Sequence, residues 1–597
     1  MKSFQILVIL FSALLTGCAA SSPYDYSATT DCLGGPWSPL YDGGLIGNPN
    51  FDSGLDEWDK FGLGKVELRT SKYVNNNYMV AYDRKMATDS FSHIFYVQKD
   101  LYYTFSDLTA WFQIDEGSEI ISAFVQEPNG TNVIVGSVIA KSGCWSMLKG
   151  GFEVDQNMKV QLFFAVLIAT FSKNTDIEIW IDNASLKPFT KAEWRAQQNK
   201  SINKVRKRNV RIHVTSEDGL KLRGAKVIIN QTRSEFIVGS GTTSYIVDNK
   251  GYQDWFVSRF AAATFNNEMK WYYTEVGPDM ENYTVTDAMV SFFRQNGIAV
   301  RGHAVHWDAT NVNQYWVKLL APRDIFRAAM RRVGSIVSRY SGSVNGWDVM
   351  NENMHNSFFE EKLGANASAM FYQIVRAMDP QTPLFLNEYN VLEYPMDLKV
   401  IPWKYVEKIR EIRAFTGNEN MPLSIGIQGH FLLKPNVSHI RASFDILGAT
   451  GMPIWLTELD FRRGPNQVFE FEDVMREAFA HPAVEGIIVW AGWKPTSCNE
   501  RCLSDKNYTV LPTGCMELCL VDSNFNNTPA GDVYDKLMKE WKTTNVTGYT
   551  DKEGIFEEKV FLGEYSLTYS HPLIPRPVIT KFNVTRAKEP LDVWVSL

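Results

Sequence analysis

The strongest constraint on the fold is a regular alternation of apolar, strand-like runs with helical segments through the second half of the chain. The strand-like runs are residues 236–241, 261–266, 298–303, 344–351, 383–390, 424–430, 453–460 and 484–490. The clearest helix spans residues 322–340, with one face carrying Ile325, Ala329, Val333, Ile336, Val337 and Tyr340. Eight such units across about 300 residues predict an α/β fold, a (β/α)8 barrel over residues 236–544.

Polar side chains collect where these runs end, and in a (β/α)8 barrel the active site lies at the carboxyl ends of the strands. A single Glu is normally a surface residue, and Asn or His at a strand end often caps the next helix. Because many polar residues lie at these strand ends, which meet at one end of a barrel, we favour an active site over surface or capping roles. The residues concerned are Asn267, Lys270, His303, Trp307, Asn351, Glu352, Asn387, Gln428, His430, Glu458, Asp460 and Trp490.

Two glutamates stand out in this set. Glu352 closes the run Gly-Trp-Asp-Val-Met-Asn-Glu, and Glu458 lies within Ile-Trp-Leu-Thr-Glu-Leu-Asp. Cleavage of an acetal needs acid help at the leaving oxygen and a nucleophile at the anomeric carbon. In retaining glycosidases two carboxyl groups about 5 to 5.5 Å apart share this work. Repulsion between like charges at that distance raises the pKa of one of them. The pair therefore predicts glycoside hydrolysis.

The chain from residue 236 to 541 resembles glycoside hydrolase family 10, the retaining endo-1,4-β-xylanases. The likeness is greatest to plant-type secreted members with an N-terminal carbohydrate module. Residues 347–352 match the acid/base motif of the family, and residues 455–460 match its nucleophile motif. Further strand-end motifs match in order at Arg301-Gly-His303 with Trp307, Asn387-Glu-Tyr389 and Gly426-Ile-Gln-Gly-His430. The resemblance implies that Glu458 is the nucleophile and Glu352 the proton donor.

The resemblance also implies supporting roles at matching positions. Asn351 would bind the sugar 2-hydroxyl at the cleavage point, and His430 would orient Glu458 with help from Asp460. The chemistry would need no metal and no cofactor. The remaining residues expected to line the cleft are Asn267, Lys270, His303 and Trp307 on the glycone side, with Gln428 and Trp490.

Several positions depart from the family pattern. Asn266 stands where the family usually has Glu, so we expect weaker or altered binding on the glycone side. Asp308 replaces a common His, and Glu388 replaces a common Asp. After Trp490 the chain enters a cysteine-rich loop instead of the bacterial loop with its second tryptophan, and whether Trp493 takes the place of that tryptophan stays open.

That loop contains two Cys-x3-Cys pairs, a spacing that suits two disulfides and could also hold zinc. In a secreted chain we expect disulfides, and the pairing is not readable from the sequence. The four disulfide candidates are Cys498, Cys502, Cys515 and Cys519.

The N-terminus has the layout of a cleaved secretory signal over residues 1–20. Leu15-Thr-Gly-Cys18 would also fit a bacterial lipoprotein signal. Asn-X-Ser/Thr acceptor sites recur from Asn129 to Asn583, which favours a glycosylated, secreted protein of the extracellular space or cell wall. Cleavage of the signal would remove Cys18 and leave an even number of cysteines, as an oxidising compartment favours.

Three further segments flank the barrel. Residues 45–187 have the short alternating runs of a β-sandwich and resemble xylan-binding modules, in which Trp58, Tyr103 and Trp111 could stack on sugar or form core. Residues 188–208 are predicted as a linker with at most a short helix. Residues 209–235 and 545–597 resemble strands of one small β module interrupted by the barrel, or each could pack on the barrel separately.

The sequence thus predicts a secreted, retaining endo-β-1,4-xylanase whose partner is xylan, and we expect a monomer. A net charge of −7, from 60 basic and 67 acidic residues, argues against a nucleic acid partner. No run after the signal reaches the roughly 18 apolar residues that a membrane span needs. Two alternatives stay open: a xylan endotransglycosylase with the same glutamates, and a catalytically weak polysaccharide-binding wall protein favoured by Asn266 and the altered eighth loop.

Overall fold

A computed structural model describes residues 23–71, 76–127, 130–154, 163–490, 492–497, 518–572 and 576–597. The predicted signal at residues 1–20 lies outside these ranges. So do three of the four loop cysteines, Cys498, Cys502 and Cys515. In the described part of the chain, no helix is long and apolar enough to cross a membrane.

The N-terminal region folds into two antiparallel sheets. Their orders are β1-β4-β9-β6-β7 and β11-β5-β10-β3-β2, with β8 added to β5. Alternating apolar residues of the two sheets form one core, and Cys32 and Cys144 are joined by a disulfide. The strands are β1 Trp58–Phe61, β2 Lys65–Thr70, β3 Asn77–Tyr82, β4 Ser90–Gln98, β5 Leu101–Ile114, β6 Ser118–Gln126, β7 Asn132–Lys141, β8 Ser146–Glu153, β9 Phe163–Phe171, β10 Ile179–Asp182 and β11 Lys187–Thr190, after a short 3-10 helix at Leu40–Gly43.

The three aromatic residues considered for sugar stacking are core residues. Trp58 is 8% exposed, Tyr103 is 1% exposed and Trp111 is fully buried. The Tyr103 ring stacks on Phe152 at 4.9 Å, and Phe51 packs against Trp58 at 5.1 Å. The Trp58 and Tyr103 rings lie in the core between the sheets, and the Trp111 ring packs with Trp145 and Met147 in a separate buried cluster. None of the three rings therefore offers a face to a polysaccharide.

Residues 188–208 are not the predicted linker. They hold the end of β11 and a fifteen-residue helix, α1, Lys191–Val205, which starts with a capping box between Thr190 and Glu193. The face of α1 that docks on the barrel mixes polar and apolar residues: Trp194 and Gln198 donate to the buried Glu477 carboxylate at 2.9 and 2.8 Å, and Ile202 packs into the barrel core. With few apolar residues on this face, the helix lacks the apolar periodicity that would have revealed it in the sequence.

The second half of the chain forms the closed parallel barrel. Its strands pair in the order β19-β18-β17-β16-β15-β14-β22-β21, and a β19–β21 pairing closes the ring, with the short β20 added to β21. The (β/α)8 prediction is therefore confirmed. The strands are β14 Ile237–Thr242, β15 Ala262–Phe265, β16 Ala299–Trp307, β17 Gly346–Asn351, β18 Leu384–Glu388, β19 Leu423–Ile427, β20 His430–Phe431, β21 Ile454–Phe461 and β22 Val484–Val489.

Helices surround this barrel. In the longest, the predicted apolar face is buried, and Pro322 occupies its first turn, where the missing N–H costs no hydrogen bond. The described helices are α2 Tyr245–Asp248, α3 Lys250–Arg259, α4 Trp271–Thr274, α5 Thr284–Gln295, α6 Tyr315–Lys318, α7 Pro322–Tyr340, α8 Phe358–Leu363, α9 Ala367–Met378, α10 Pro402–Ala414, α11 Val437–Gly448, α12 Gln467–Ala480, α13 Lys494–Ser497 and α14 Pro529–Glu540.

Two small sheets combine strands from both sides of the barrel sequence. β12, Lys207–Thr215, pairs with β24 and β27, while β13, Lys226–Ser234, pairs with β23 and β25, and β26 completes the second sheet. Their apolar faces share one core. The late strands are β23 Val546–Tyr549, β24 Ile555–Phe561, β25 Gly563–Ser570, β26 Val578–Val584 and β27 Leu591–Ser596.

The N-terminal sheets and the barrel share buried surface. Trp403 and Ile446 of the barrel helices, with Ile401 just before α10, belong to the apolar core of the N-terminal sheets. Lys149 of β8 forms a fully buried ion pair with Asp445 of α11 at 2.9 Å. The two parts are therefore packed as one body at this seam.

Candidate active site

The two glutamates both lie at the carboxyl ends of barrel strands. β17 is buried along its whole length, and Glu352 follows its last residue in a left-handed conformation, φ 58°. Glu458 lies within β21, where the pairing register with β22 shifts between Leu456 and Leu459. Backbone hydrogen bonds place both: Glu352 N–H donates to Asn387 and Glu458 N–H to Gln428, each at 2.9 Å.

The Glu352 carboxylate accepts three side-chain hydrogen bonds. Trp307 Nε1 donates to Oε2 at 2.9 Å, and Gln428 Nε2 donates to Oε1 at 2.9 Å. Asn351 Nδ2 approaches the same Oε1 at 3.3 Å. Three donors from three different strand ends therefore fix both oxygens of Glu352.

The Glu458 carboxylate is 5% exposed and lies among donors and cations. Asn387 Nδ2 donates to Oε1 at 2.9 Å, and His430 Nε2 is 3.3 Å from Oε2. Burial raises the pKa of Glu458, but the His430 hydrogen bond and the charges of His303, His430 and Lys270 outweigh burial and lower that pKa to about 2. Glu458 is thus held as a carboxylate.

His430 is oriented by a second carboxylate. Its Nδ1 lies 2.6 Å from Asp460 Oδ1, so the imidazole bridges Asp460 and Glu458. Burial lowers the pKa of His430, but the charges and hydrogen bonds of Asp460 and Glu458 hold it well above its usual value. The bridging ring therefore carries a positive charge next to Glu458.

Two amides join the glutamates. Asn387 Nδ2 donates both to Glu458 and, at 2.8 Å, to Asn351 Oδ1, while Asn351 contacts Glu352. Thr457 in turn donates to Asn387 Oδ1. The sequence placed Asn387 at a strand end without giving it a role, because its link across β17, β18 and β21 depends on strand spacing.

A buried lysine lies between two tryptophans. Lys270 Nζ is 4.5 Å from the centre of the Trp307 ring and 5.8 Å from that of Trp490. Burial lowers the pKa of Lys270, against the opposing charges of Glu458 and Glu352. The aromatic faces thus hold a cation close to both carboxylates.

Asp348 orients the neighbouring histidine and was missed from the sequence. His303 Nδ1 lies 2.8 Å from Asp348 Oδ2, and Arg301 donates to the other oxygen. His303 Nε2 then faces Glu458 Oε1 at 3.9 Å. Asp348 lies inside the 347–352 motif, so that motif could have identified it as a site residue.

The remaining predicted cleft residues differ in their exposure and contacts. The Trp490 ring meets His303 at 5.7 Å and His430 at 6.3 Å, both edge to face. Asn267 is exposed, and its Oδ1 accepts a hydrogen bond from Tyr272 at 2.6 Å. Asn266 Oδ1 is buried and has no hydrogen-bond partner in the part of the chain that the structure describes.

Two of the departures from the family pattern have structural roles. Asp308 is fully buried and accepts the Phe359 N–H at 2.8 Å, while burial raises its pKa to about 7. Trp493 is 5% exposed and stacks between Tyr252 and Phe525, so it packs in the core and is no cleft wall. Of the four loop cysteines the structure describes Cys519, which is half-buried.

Comparison with known proteins identifies the family. The model of Glycosyl hydrolase family 10 matches residues 228–534. The chain is 41% identical over 498 residues to Endo-1,4-beta-xylanase 5-like of Arabidopsis thaliana, covering 82% of each chain. It is 35% identical over 605 residues to Endo-1,4-beta-xylanase 4 of the same plant, covering 98% of this chain and 96% of that protein.

Among solved structures, xylanase 10B of Thermotoga petrophila RKU-1 in complex with xylobiose aligns with a TM-score of 0.43 and 20% identity, over 51% of this chain and 94% of that chain. The family match covers the barrel and both glutamates. This chain belongs to glycosyl hydrolase family 10.

Proposed function

We propose that the chain hydrolyses internal β-1,4-xylosidic bonds of xylan with retention of anomeric configuration. The observation that carries the proposal is the asymmetry of the two glutamates. Glu458 is held ionised by His430, His303 and Lys270, while Glu352 is held by neutral donors from Trp307, Gln428 and Asn351. A retaining enzyme needs an ionised nucleophile beside a second carboxyl group that serves as proton donor, and in this proposal Glu458 and Glu352 take these two roles.

In the first step Glu458 attacks the anomeric carbon and forms a glycosyl ester. The bond to the leaving oxygen breaks, and Glu352 gives its proton to that oxygen. The Trp307 and Gln428 hydrogen bonds hold the Glu352 oxygens in place as its charge changes from neutral to negative.

In the second step water attacks the same carbon and Glu458 leaves as a carboxylate. Glu352, now ionised, takes the proton from that water, so the enzyme returns to its starting state. Two inversions give net retention. The cations around Glu458 favour its departure as an anion, since they stabilise the ionised form.

The surrounding residues take binding and orienting roles in this proposal. Asn351 binds the sugar 2-hydroxyl, a bond that strengthens as positive charge develops on the ring. His430 and Asp460 orient Glu458, and Trp490 forms one aromatic wall of the cleft. The residues that line the glycone side are Asn267, Lys270, His303 and Trp307.

Relatives named endo-1,4-beta-xylanase support xylan as the substrate. The N-terminal signal-like stretch and the recurrent Asn-X-Ser/Thr sites support secretion to the cell wall as a glycoprotein. The N-terminal sheets, with their sugar-stacking candidates buried, act in this proposal as a packed part of the enzyme.

The test is incubation of purified protein with glucuronoxylan, arabinoxylan, cellulose and mannan, each with and without a labelled xylo-oligosaccharide acceptor. New reducing ends from xylan that are lost in Glu458→Ala support hydrolysis. Labelled polymer without new reducing ends would instead establish the transglycosylase. Binding to xylan with neither outcome would establish a wall-binding protein, and cleavage of cellulose or mannan alone would reject xylan as the substrate.

A further inference from the structure

Just beyond the acid/base glutamate lies a histidine that touches two carboxylates. His355 Nδ1 is 2.7 Å from Glu388 Oε1, and His355 Nε2 is 2.7 Å from Asp397 Oδ2. The ring also stacks on Tyr389 at 3.8 Å with an interplanar angle of 9°. Both ring nitrogens therefore lie within hydrogen-bonding distance of a carboxyl group, an arrangement that favours the protonated imidazole, which donates from both nitrogens.

The central carboxylate also binds the backbone next to Glu352. Glu388 is fully buried, and its Oε2 accepts the Met354 N–H at 2.9 Å. Its Oε1 accepts the Tyr389 N–H at 3.0 Å in addition to the bond from His355. Glu388 therefore connects the end of β18 to the turn that follows Glu352.

That turn needs support. Glu352 has φ 58°, a left-handed backbone conformation that residues other than glycine rarely adopt. Its carbonyl accepts the Asn356 N–H at 3.1 Å and Asn356 Nδ2 at 3.0 Å. The direction of the Glu352 side chain follows from this backbone conformation, so residues that fix the turn also fix the carboxyl group.

The other end of the group is anchored as well. Asp397 Oδ2 accepts a second hydrogen bond, from Asn390 Nδ2 at 2.9 Å, and Asp397 Oδ1 accepts the Lys399 N–H at 3.3 Å. His355 thus ties the turn after β17 to the long loop after β18. Glu388 stands where the family commonly has Asp, and the extra methylene extends its reach toward Met354 and His355.

We propose that His355, Glu388 and Asp397, here called the His355 triad, form a positioning group that holds the Glu352 turn so that the Glu352 carboxyl group reaches the leaving oxygen. The inference rests on the proposed function, in which Glu352 is the proton donor. None of the three residues touches the substrate in this proposal. They act through the turn, and their loss should weaken proton transfer more than any other part of the reaction.

The test compares two substrates in His355→Gln. Xylotetraose has a sugar leaving group that needs a proton, whereas a 2,4-dinitrophenyl β-xylobioside has a leaving group acidic enough to depart without one. Because kcat/KM reports the first chemical step, we expect kcat/KM for xylotetraose to fall about tenfold or more, since positioned acid catalysis contributes about 10²–10⁴-fold. The value for the aryl substrate should stay within about twofold of the wild type.

The matched control is His481→Gln. His481 is buried, its Nε2 is 3.1 Å from Asp445 Oδ1, and it lies outside the site. A merely structural effect should change both substrates equally in either variant. Equal losses on both substrates in His355→Gln, or no loss on either, would overturn the proposal.

Glu388→Asp provides a graded variant, because it keeps the charge and shortens the reach. We expect a loss on xylotetraose smaller than that of Glu388→Gln, with the aryl substrate again spared. If Glu388→Asp and Glu388→Gln both behave like the wild type on xylotetraose, the triad does not position Glu352.

A pH profile adds a readout that a structural role would not move. Three titratable groups contact the His355 ring: Glu388 and Tyr389 at the end of β18, and Asp397 on the following loop. Burial lowers the pKa of His355, but Glu388 and Asp397 together raise it above the usual value. The wild-type advantage over His355→Gln on xylotetraose should therefore shrink as pH rises through that pKa, and a constant ratio would count against the triad.

Failure of the proposed function is distinguishable from failure of this inference. If the wild type cleaves neither substrate, the proposed function fails. The crystal structure of His355→Gln then decides about the triad: a displaced turn at 352–356 supports it, and an unchanged turn overturns it.

Discussion

At the scale of single residues, Glu458 owes its low pKa mainly to its hydrogen bond with His430 and to nearby cations. A carboxyl group with a pKa of about 2 in the folded protein, against about 4.3 in the unfolded chain, stabilises the fold above pH 4.3 or so. That contribution is lost as pH falls through about 2. The same hydrogen bond and charges keep Glu458, the proposed nucleophile, ionised in mildly acidic solution.

Substitution of His430 should therefore move the acidic limb of the rate profile. In His430→Asn we expect the Glu458 pKa to rise, so kcat/KM for the dinitrophenyl substrate should fall near pH 4 to 5 by about tenfold relative to the wild type. His439→Asn, a buried histidine outside the site, is the control and should leave the limb in place. Coincident profiles for His430→Asn and wild type would contradict this account of Glu458.

Asn266 offers a second test at this scale. Its side-chain oxygen is buried and, among the residues that the structure describes, has no hydrogen-bond partner. The sequence resemblance predicts a carboxylate at this position. A charge-assisted hydrogen bond to a sugar hydroxyl is worth about 1.5–3 kcal/mol, so Asn266→Glu should lower KM for short xylo-oligosaccharides by about tenfold. Asn266→Gln has the same length without the charge and should not. Equal KM values in the two variants would exclude a glycone-side effect of the charge.

The sequence predicted the residues of the site better than their connections. Glu352, Glu458, His430 and Asp460 lie in contiguous motifs, so their types and order were readable. The bonds of Asn387 to two other strand ends, and of Asp348 to His303, depend on the spacing and stagger of the closed barrel. No pattern along the chain encodes that spacing.

At the scale of elements, the barrel strands were predicted to within a few residues. Parallel strands buried on both faces are rich in apolar residues, as β21 is from Ile454 to Leu456, and their polar residues follow toward the carboxyl end. Helix α1 was missed as a packed element because much of its buried face binds through hydrogen bonds: Trp194 and Gln198 donate to Glu477, and Ser201 donates to the Ala480 carbonyl. Ile202 adds one apolar contact to the barrel core, which is too little to give a hydrophobic period in the sequence.

Glu477, whose carboxylate accepts hydrogen bonds from α1, also forms a fully buried ion pair. Arg441 of α11 donates to both oxygens of Glu477, and both side chains are fully buried. Arg441→Met should lower the free energy of unfolding by about 3–5 kcal/mol, because it leaves Glu477 buried without its cation. Denaturant titration followed by circular dichroism measures this change.

The matched control is Arg195→Met, which breaks the half-exposed pair with Asp473 at 3.3 Å. We expect it to cost no more than about 1 kcal/mol. Similar losses of unfolding free energy in the two variants would mean that burial is not the reason why the Arg441 ion pair stabilises the fold.

At the scale of the whole molecule, the N-terminal sheets are less separate than the sequence indicated. The sequence favoured a module joined by a linker, yet Ile401, Trp403 and Ile446 pack into its core and Lys149 pairs with Asp445. These barrel residues look like ordinary helix positions in the sequence. The hydrophobic periodicity does not show which helix face packs against the N-terminal sheets.

Removal of residues 1–189 should therefore destabilise the barrel. The shortened chain would expose three large apolar side chains, each worth about 1.5–3 kcal/mol when buried, and would leave Asp445 without Lys149. We expect a lower thermal midpoint and aggregation. The same chain with Ile401→Thr, Trp403→Gln, Ile446→Thr and Asp445→Asn should recover solubility, and an unmodified shortened chain as stable as the whole protein would contradict the shared core.

The central claim is that Glu458 forms a covalent bond to the sugar while Glu352 supplies the proton. The most direct measurement is mass spectrometry of the protein after treatment with a 2-deoxy-2-fluoro-xylobioside bearing a dinitrophenyl leaving group, which slows release of the glycosyl intermediate. We expect one disaccharide per chain, carried on the peptide that contains Glu458. An unlabelled protein that still cleaves xylan, or a label on any other residue, would contradict the account.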